Sequence, residues 1–163
     1  MTERVWARAT DGTDVPMSLF YRKDVEKNGE NPLLIYAYGS YGSSMSAWFS
    51  SKRFSLVDRG FMYAIAHIRG GSEMGRVWYE DGRQLNKKNT FTDFIDCTQH
   101  LIDNNYTSAE HIYAQGGSAG GLLMGAVSNM APELYAGMVA HVPFVDIVTT
   151  PPSHRRLVEL ACR

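Results

Sequence analysis

The hexapeptide Gly-Gly-Ser-Ala-Gly-Gly at residues 116–121 constrains the fold of this chain more than any other feature. Residues 109–115 before it have the composition of a short strand, and residues 122–127 after it have that of a helix. A strand that passes into a helix through so short a unit turns sharply, which strains the serine backbone and holds its hydroxyl clear of the sheet. The pattern predicts a nucleophilic Ser118, with an incidental serine in a glycine-rich turn as the alternative.

Glycine flanks the serine for a steric reason. A Cβ atom at Gly116 or Gly120 would collide with the neighbouring strand or helix, so glycine is required for the sharp turn. The backbone N–H of Ala119, directly after the serine, is placed to donate a hydrogen bond to an oxyanion. This Gly-x-Ser-x-Gly arrangement between a strand and a helix is the nucleophile elbow of α/β-hydrolases, and it predicts that fold.

The rest of the chain alternates between strand-like and helix-like segments. Apolar runs indicate buried central strands, and hairpin residues at 11–14 join the first two strands. This alternation predicts a three-layer αβα fold with a mostly parallel sheet, and Thr90 or Thr92 is expected to cap the longest helix. The predicted strands are residues 5–9, 15–21, 32–38, 61–66, 109–115 and 135–141, and the predicted helices are residues 52–58, 90–104 and 122–127.

Composition excludes several classes of function. Of the 163 residues, 44% are hydrophobic and 20% are charged, and the net charge is -1, which gives no excess of positive charge for nucleic acid or an anionic membrane. Cys97 and Cys162 form no disulfide or zinc pattern, and Cys97 is expected to pack inside a helix. No apolar run approaches the ~20 residues of a membrane span. The N-terminus does not resemble a signal peptide, so we expect a cytoplasmic protein. We also expect no metal and no cofactor.

Further motifs follow one another in an order that carries a family resemblance. They are Tyr-Ala-Tyr-Gly-Ser-Tyr-Gly at residues 36–42, Arg-Gly-Gly-Ser-Glu-Met-Gly at 69–75, Trp-Tyr at 78–79, Asn-Thr-Phe-Thr-Asp-Phe at 89–94 and the serine motif. In this combination the chain resembles the peptidase domain of the prolyl oligopeptidase family, and within it the oligopeptidase B type. The resemblance implies a partial α/β-hydrolase peptidase domain over residues 1–150 and a tail unlike the family over residues 151–163.

The resemblance implies a role for each matching residue. Ser118 corresponds to the nucleophile, and the Ala119 N–H and the Tyr38 hydroxyl correspond to the two donors of the oxyanion hole. Tyr41 and Phe144 correspond to positions near the substrate subsites, although packing in the core is an equal alternative for both rings. The implied activity is hydrolysis of peptide bonds by a serine endopeptidase, without a cofactor.

Charged and histidine residues around the predicted site are interpreted as structural. Arg69 and Glu73 correspond to a loop beneath the site, with a surface ion pair as the alternative. His67 ends a predicted strand at the rim of the site, and His141 ends the last predicted strand. His100 is expected on the exposed side of its helix.

The residues that should complete a catalytic triad are not found. In the family the acid and the histidine lie on loops well beyond the elbow, and nothing after Ser118 matches them. His141, Asp146 and His154 are the local candidates for a substitute. We therefore expect a C-terminally truncated fold, in which the family's propeller and its acidic residues for a basic P1 side chain are also missing.

Three functions remain open at this point. The first is peptide hydrolysis by a serine hydrolase of the oligopeptidase B type, impaired by the missing Asp and His. The second is a small serine esterase that acts on activated or short esters. The third is a non-catalytic fragment that self-assembles, because a sheet that ends near residue 141 leaves an open edge. This edge predicts a homo-oligomer.

Overall fold

A six-stranded mixed sheet forms the centre of the computed structural model, which describes residues 1–146. The strands are β1 (Thr2–Arg8), β2 (Asp14–Phe20), β3 (Leu33–Tyr36), β4 (Met62–Ala66), β5 (Ile112–Gly117) and β6 (Gly137–His141). Their order across the sheet is β1-β2-β4-β3-β5-β6. The pairs β3–β4, β3–β5 and β5–β6 are parallel, whereas β1–β2 and β2–β4 are antiparallel. The predicted mostly parallel sheet is therefore present.

The N-terminal hairpin forms as the sequence predicts. Asp11 accepts a hydrogen bond from the Thr13 N–H at 3.0 Å, and Gly12 has a φ of 88°, in the left-handed region that glycine tolerates. β1 pairs only with β2, so within the described residues it forms one edge of the sheet. The hairpin thus extends the parallel sheet by two antiparallel strands.

Four helices flank the sheet in the described residues. They are α1 (Phe54–Val57), α2 (Arg76–Glu80), α3 (Lys87–Asp103) and α4 (Ala119–Met130), with 3-10 turns at Ser51–Arg53, Gln84–Asn86 and Pro132–Leu134. α2 was not predicted, because a five-residue helix is too short to show a helical period.

The predicted cap of α3 is wrong. The helix begins at Lys87, so Thr90 and Thr92 lie inside its first turns. The Thr90 hydroxyl instead donates to the carbonyls of Arg69 and Gly82, at 2.8 and 3.1 Å. Thr90 is fully buried, and its hydroxyl satisfies two loop carbonyls.

The main core lies between one face of the sheet and the helices α3 and α4. Ile35, Ala64 and Ile112 from three adjacent strands have no exposed surface, and Phe94 and Leu123 from the helices are buried as well. Burying each large apolar side chain stabilises the fold by about 1.5–3 kcal/mol.

Cys97 belongs to this core, as the sequence predicted. Its side chain is fully buried, and burial raises the pKa of its thiol well above the usual value. A thiol that stays protonated is a packing group and not a nucleophile.

The opposite end of the sheet is more open. β6 lies at the other edge of the sheet in residues 1–146, and Val139 on this strand is 45% exposed. Val142 and Val145, directly after the strand, are exposed too. In the same range, no helix has the length and apolar content needed to cross a membrane.

Candidate active site

Ser118 lies where β5 ends and α4 begins, as the sequence predicted. Its φ of 54° and ψ of -114° fall in a region that non-glycine residues rarely adopt, at a cost of about 1–3 kcal/mol. The side chain is exposed and forms no capping hydrogen bond with α4. The strain is maintained by the surrounding packing, and it presents the hydroxyl to solvent.

Close packing of the elbow explains its glycines. A Cβ atom on Gly116 would lie 2.2 Å from the Gly120 carbonyl oxygen, and one on Gly120 would lie 2.9 Å from the Ala37 carbonyl oxygen. Neither of these backbone oxygens can move without displacing a helix or a strand. The predicted steric need for glycine at 116 and 120 is therefore present in the structure.

Backbone hydrogen bonds fix the elbow against β6. The Ser118 N–H donates to the His141 carbonyl at 2.9 Å, and the Ser118 carbonyl accepts from the Gly121 N–H at 2.9 Å and the Phe144 N–H at 3.3 Å. Ala119 is the first residue of α4, where the N–H has no partner within the helix. The backbone donor next to the serine is therefore left without a partner in α4.

Tyr38 and Tyr41 lie beside the elbow, in the turn that follows β3. A Cβ atom on Gly120 would lie 3.6 Å from Cδ2 of Tyr38, so this partly buried ring contacts the start of α4. The two tyrosine rings are 6.3 Å apart between centroids. Tyr41 is 45% exposed and has a φ of 60°, so it is not a core residue.

Phe144 is connected to the serine through the backbone. Its N–H contacts the Ser118 carbonyl, and its side chain is partly buried. The preceding Pro143 packs tightly on the elbow, since a Cβ atom on Gly121 would lie 2.5 Å from the Pro143 Cα. The structure therefore brings together all five residues predicted for the site.

None of the histidines in residues 1–146 is hydrogen-bonded to the Ser118 hydroxyl. His67 pairs with Ser18, and the Nδ1 atom of His111 pairs with Ser108. His141 lies at the end of β6 with an exposed side chain, which differs from the satisfied structural histidine that the sequence predicted. His100 is partly buried and not fully on the exposed side of α3. His154 lies outside the described residues.

Arg69 does not form the surface ion pair with Glu73 that was the alternative. It is 5% exposed, and its guanidinium pairs with the fully buried Asp93 on α3 and with Asp11 in the hairpin turn. Burial alone would lower the pKa of Arg69, but the hydrogen bonds that it donates to the Asp93 carboxylate raise it. Removing one member of such a buried pair costs about 3–5 kcal/mol, far more than for a surface pair.

Glu73 instead holds two loops together. Its Oε1 atom accepts a hydrogen bond from the Met45 N–H at 2.8 Å, and Ser72 donates to the Gly42 carbonyl. These contacts fasten the turn after β3, which carries the two tyrosines, to the loop after β4. The interpretation of this loop as a structural support beneath the site agrees with its contacts.

One supporting residue was missed by sequence reasoning. The Lys87 ammonium group at the start of α3 donates to the Gly39 carbonyl and to the Ser40 hydroxyl at 2.7 Å, directly after Tyr38. A lysine at the start of a helix has no distinctive spacing, so the sequence contains no signal for this role. Within residues 1–146, no group of three or more His, Cys, Asp or Glu side chains could hold a metal ion.

Similar proteins share both the sequence and the fold. The chain is 62% identical over 151 residues to dipeptidyl aminopeptidase BI of Pseudoxanthomonas mexicana, and 54% identical over 148 residues to Protease 2 of Moraxella lacunata. Oligopeptidase B from Trypanosoma brucei, solved with covalently bound antipain, matches with a TM-score of 0.89 at 50% identity. The predicted α/β-hydrolase fold is confirmed by these likenesses.

The alignments cover most of this chain but only part of each relative. The alignments cover 92%, 91% and 92% of this chain but 21% of each of those three proteins, so the chain spans about a fifth of their length. A sequence profile described as the prolyl oligopeptidase family matches residues 47–155, which is more than half of the chain. The chain therefore belongs to the prolyl oligopeptidase family.

Proposed function

We propose that Ser118 is the nucleophile of a serine hydrolase that cleaves peptide bonds. The observation that carries the proposal is the strained, exposed conformation of Ser118, with its φ of 54° between a strand and a helix. A serine in that conformation costs stability. The strained turn holds the hydroxyl at the carboxyl ends of the parallel strands, where it can attack a substrate.

Two donors would hold the oxyanion formed by attack on a carbonyl. The Ala119 N–H at the start of α4 is the first, and the Tyr38 hydroxyl is the second. The contact of the Tyr38 ring with the start of α4 supports this pairing. Exposure of Tyr41 and the position of Phe144 next to the serine support substrate contacts for both rings.

The substrate class follows from the relatives. Their names describe a dipeptidyl aminopeptidase, a protease and prolyl endopeptidases, so peptide hydrolysis is their common chemistry. The covalently bound antipain of the Trypanosoma brucei enzyme supports a nucleophilic mechanism by analogy. We propose the oligopeptidase B type, with residues 1–150 as part of the peptidase domain and residues 151–163 as a separate tail.

The general base is proposed to lie outside residues 1–146. No described histidine is bonded to the Ser118 hydroxyl, and a serine without a base is a weak nucleophile. Oxyanion donors and binding alone can retain roughly 10³–10⁴-fold catalysis over water. Hydrolysis that relies on residues 1–146 alone should therefore be slow, and faster for activated esters than for peptides because the leaving groups of such esters need less help from an acid.

Labelling with a fluorophosphonate tests the proposal. The 163-residue chain is incubated with the probe, and the modified residue is identified by peptide mass spectrometry. An adduct on Ser118 that is absent in Ser118→Ala supports the nucleophile. Hydrolysis of nitrophenyl esters but not of peptides would favour the esterase alternative, and an unmodified Ser118 would favour the non-catalytic one.

The position of β6 at an edge of the sheet within residues 1–146 favours self-association as a second role. Val139 is 45% exposed on this edge strand, and unpaired strand edges join readily with other chains. We propose a homo-oligomer through β6 in a cytoplasmic protein. Light scattering at micromolar concentration should give at least twice the monomer mass, and replacing Val139 by Lys should reduce it to the monomer. A monomeric mass for the unmodified chain would disprove the association.

A further inference from the structure

A cavity lies on the opposite side of the sheet from α3 and α4. It has a volume of about 490 Å³, within the range of small-molecule sites, and lies between the antiparallel strands and residues 47–54. Aromatic side chains form much of its wall, and Ser18 on β2 forms part of its floor. The aromatic residues are Phe20, Trp48, Phe49, Phe54 and Tyr63.

Ser18 on this floor is hydrogen-bonded to a histidine. Its Oγ atom lies 2.8 Å from Nε2 of His67, which follows β4 directly and is 3% exposed. A buried imidazole next to a partly exposed hydroxyl is the pairing that activates a serine, since the base can take the hydroxyl proton. No sequence pattern predicts this pair, because residues 18 and 67 are brought together by the β2–β4 register.

A carboxylate lies close to the other ring nitrogen of this histidine. Oε1 of Glu73 lies 3.7 Å from Nδ1 of His67, and both side chains are largely buried. Nδ1 of His67 and Oε2 of Glu73 have no hydrogen-bond partner among the described residues. The nearby carboxylate favours the tautomer with the proton on Nδ1, which leaves Nε2 to accept the proton of Ser18.

Arg4 supplies a positive charge above the serine. It pairs with Ser18 in the register of β1 and β2, so the two side chains are neighbours on one face of the sheet. Arg4 and Arg53 both line the cavity. A guanidinium group facing the serine can stabilise the negative oxygen that forms when a carbonyl is attacked.

This cluster is distinct from the elbow. Ser18 is on β2 and the elbow follows β5, with β4 and β3 between them. Adjacent strands are about 4.8 Å apart, so the two serines are separated by roughly 14 Å across the sheet. Chemistry at one serine therefore does not require the other.

We propose that Ser18, with His67 as base and Glu73 as positioning residue, is a second nucleophilic centre that cleaves small aromatic or alkyl esters bound in this cavity. Oγ of Ser18 bonds to the ester carbonyl carbon while its proton passes to Nε2 of His67. The bond to the leaving alkoxide breaks, and that oxygen takes the proton from His67. Water then attacks acyl-Ser18, gives a proton to His67 and releases the carboxylic acid as Ser18 regains its proton.

The test uses the Ser118→Ala chain, in which the elbow cannot react. This variant is treated with a fluorophosphonate and, separately, assayed for hydrolysis of p-nitrophenyl butyrate. We expect an adduct on the peptide that contains Ser18. Ester hydrolysis should fall by at least about 100-fold in Ser118→Ala/Ser18→Ala, because without the Ser18 nucleophile the contribution of His67 as acid and base is lost as well. Ser128→Ala, which removes an exposed hydroxyl on α4, is the control that should change nothing.

A second variant separates chemistry from folding. Glu73→Gln keeps an oxygen that can accept the Met45 N–H but removes the charge that orients His67, so it should slow adduct formation about tenfold without a change in circular dichroism. An unmodified Ser18 in the Ser118→Ala chain would overturn the proposal, even if Ser118 itself reacts in the unmodified chain. An adduct rate that is the same in Glu73→Gln would refute the role of Glu73.

Discussion

The two serines of this fold differ in what surrounds them. Ser118 has the strained backbone of a nucleophile elbow, but no described histidine contacts its hydroxyl. Ser18 lies in a regular strand, yet it has a histidine at 2.8 Å and a carboxylate behind that histidine. One site is built by local backbone geometry, and the other by side chains that the sheet register brings together. The difference teaches that a short motif can specify the backbone of the elbow, whereas the pairing of Ser18 with His67 depends on the register of two strands.

Breaking the support shared by both sites should have the largest effect. Asp93→Ala leaves the Arg69 guanidinium buried without its main partner, and we expect a loss of about 3–5 kcal/mol of unfolding free energy. The loop after β4 carries His67 and Glu73 and is fastened to the turn of Tyr38, so labelling at both serines should fall. Urea denaturation and adduct mapping measure the two effects. Asp14→Ala, which removes a mostly exposed ion pair with Arg8, is the matched control and should cost less than about 1 kcal/mol.

Overpacking the elbow should affect one site alone. Gly116→Ala places a Cβ atom 2.2 Å from a backbone oxygen, and we expect a loss of about 1–3 kcal/mol together with the loss of labelling at Ser118. Gly117→Ala is the control, because its Cβ would meet nothing nearer than 3.6 Å. Thermal unfolding of the two variants gives the comparison. Equal melting temperatures would contradict the steric explanation of the elbow glycines.

Relieving the strain of the elbow should stabilise the fold slightly. Ser118→Gly permits the φ of 54° at little steric cost, so we expect a gain of about 1 kcal/mol in unfolding free energy. Ser118→Ala retains the Cβ atom and should leave stability nearly unchanged. The same denaturation experiment compares both. A less stable Ser118→Gly variant would show that the strain is not stored at this residue.

A pH effect away from both serines is the smallest expected change. Burial lowers the pKa of His100 on α3, so the unfolded chain binds a proton at higher pH than the folded chain does. Stability from this group is present above the ordinary histidine pKa and is lost as the pH falls below it. His100→Gln should therefore weaken the loss of stability between pH 7 and pH 5. Labelling at Ser118 and Ser18 should be the same in the variant and in the unmodified chain.

Sequence reasoning located the strands and helices that local patterns encode. The apolar runs identified all six strands within a few residues, and the elbow glycines identified the turn at Ser118. It missed α2, which is too short for a period, and the start of α3, where the Thr90 hydroxyl serves loop carbonyls instead of the helix. The first error reflects the length of the helix, and the second arises because tertiary contacts override local preference.

The candidate site shows the same difference between features that local patterns encode and contacts that depend on the fold. Ser118 and the Ala119 N–H were expected from the elbow motif itself, whereas Tyr38 and Tyr41 were grouped with them only through the resemblance to the prolyl oligopeptidase family. The contacts of Arg69 with Asp93, and of Ser18 with His67, span 24 and 49 residues and depend on strand order. No pattern along the chain contains that order, so the alternative of an Arg69–Glu73 pair could be rejected only with the structure in hand.

The identity of the serine that reacts tests the central claim most directly. A fluorophosphonate is added to the unmodified 163-residue chain, and every modified serine is located by peptide mass spectrometry. We predict an adduct on Ser118 that disappears in Ser118→Ala while the adduct on Ser18 remains. A folded chain in which Ser118 stays unmodified would contradict its assignment as the nucleophile.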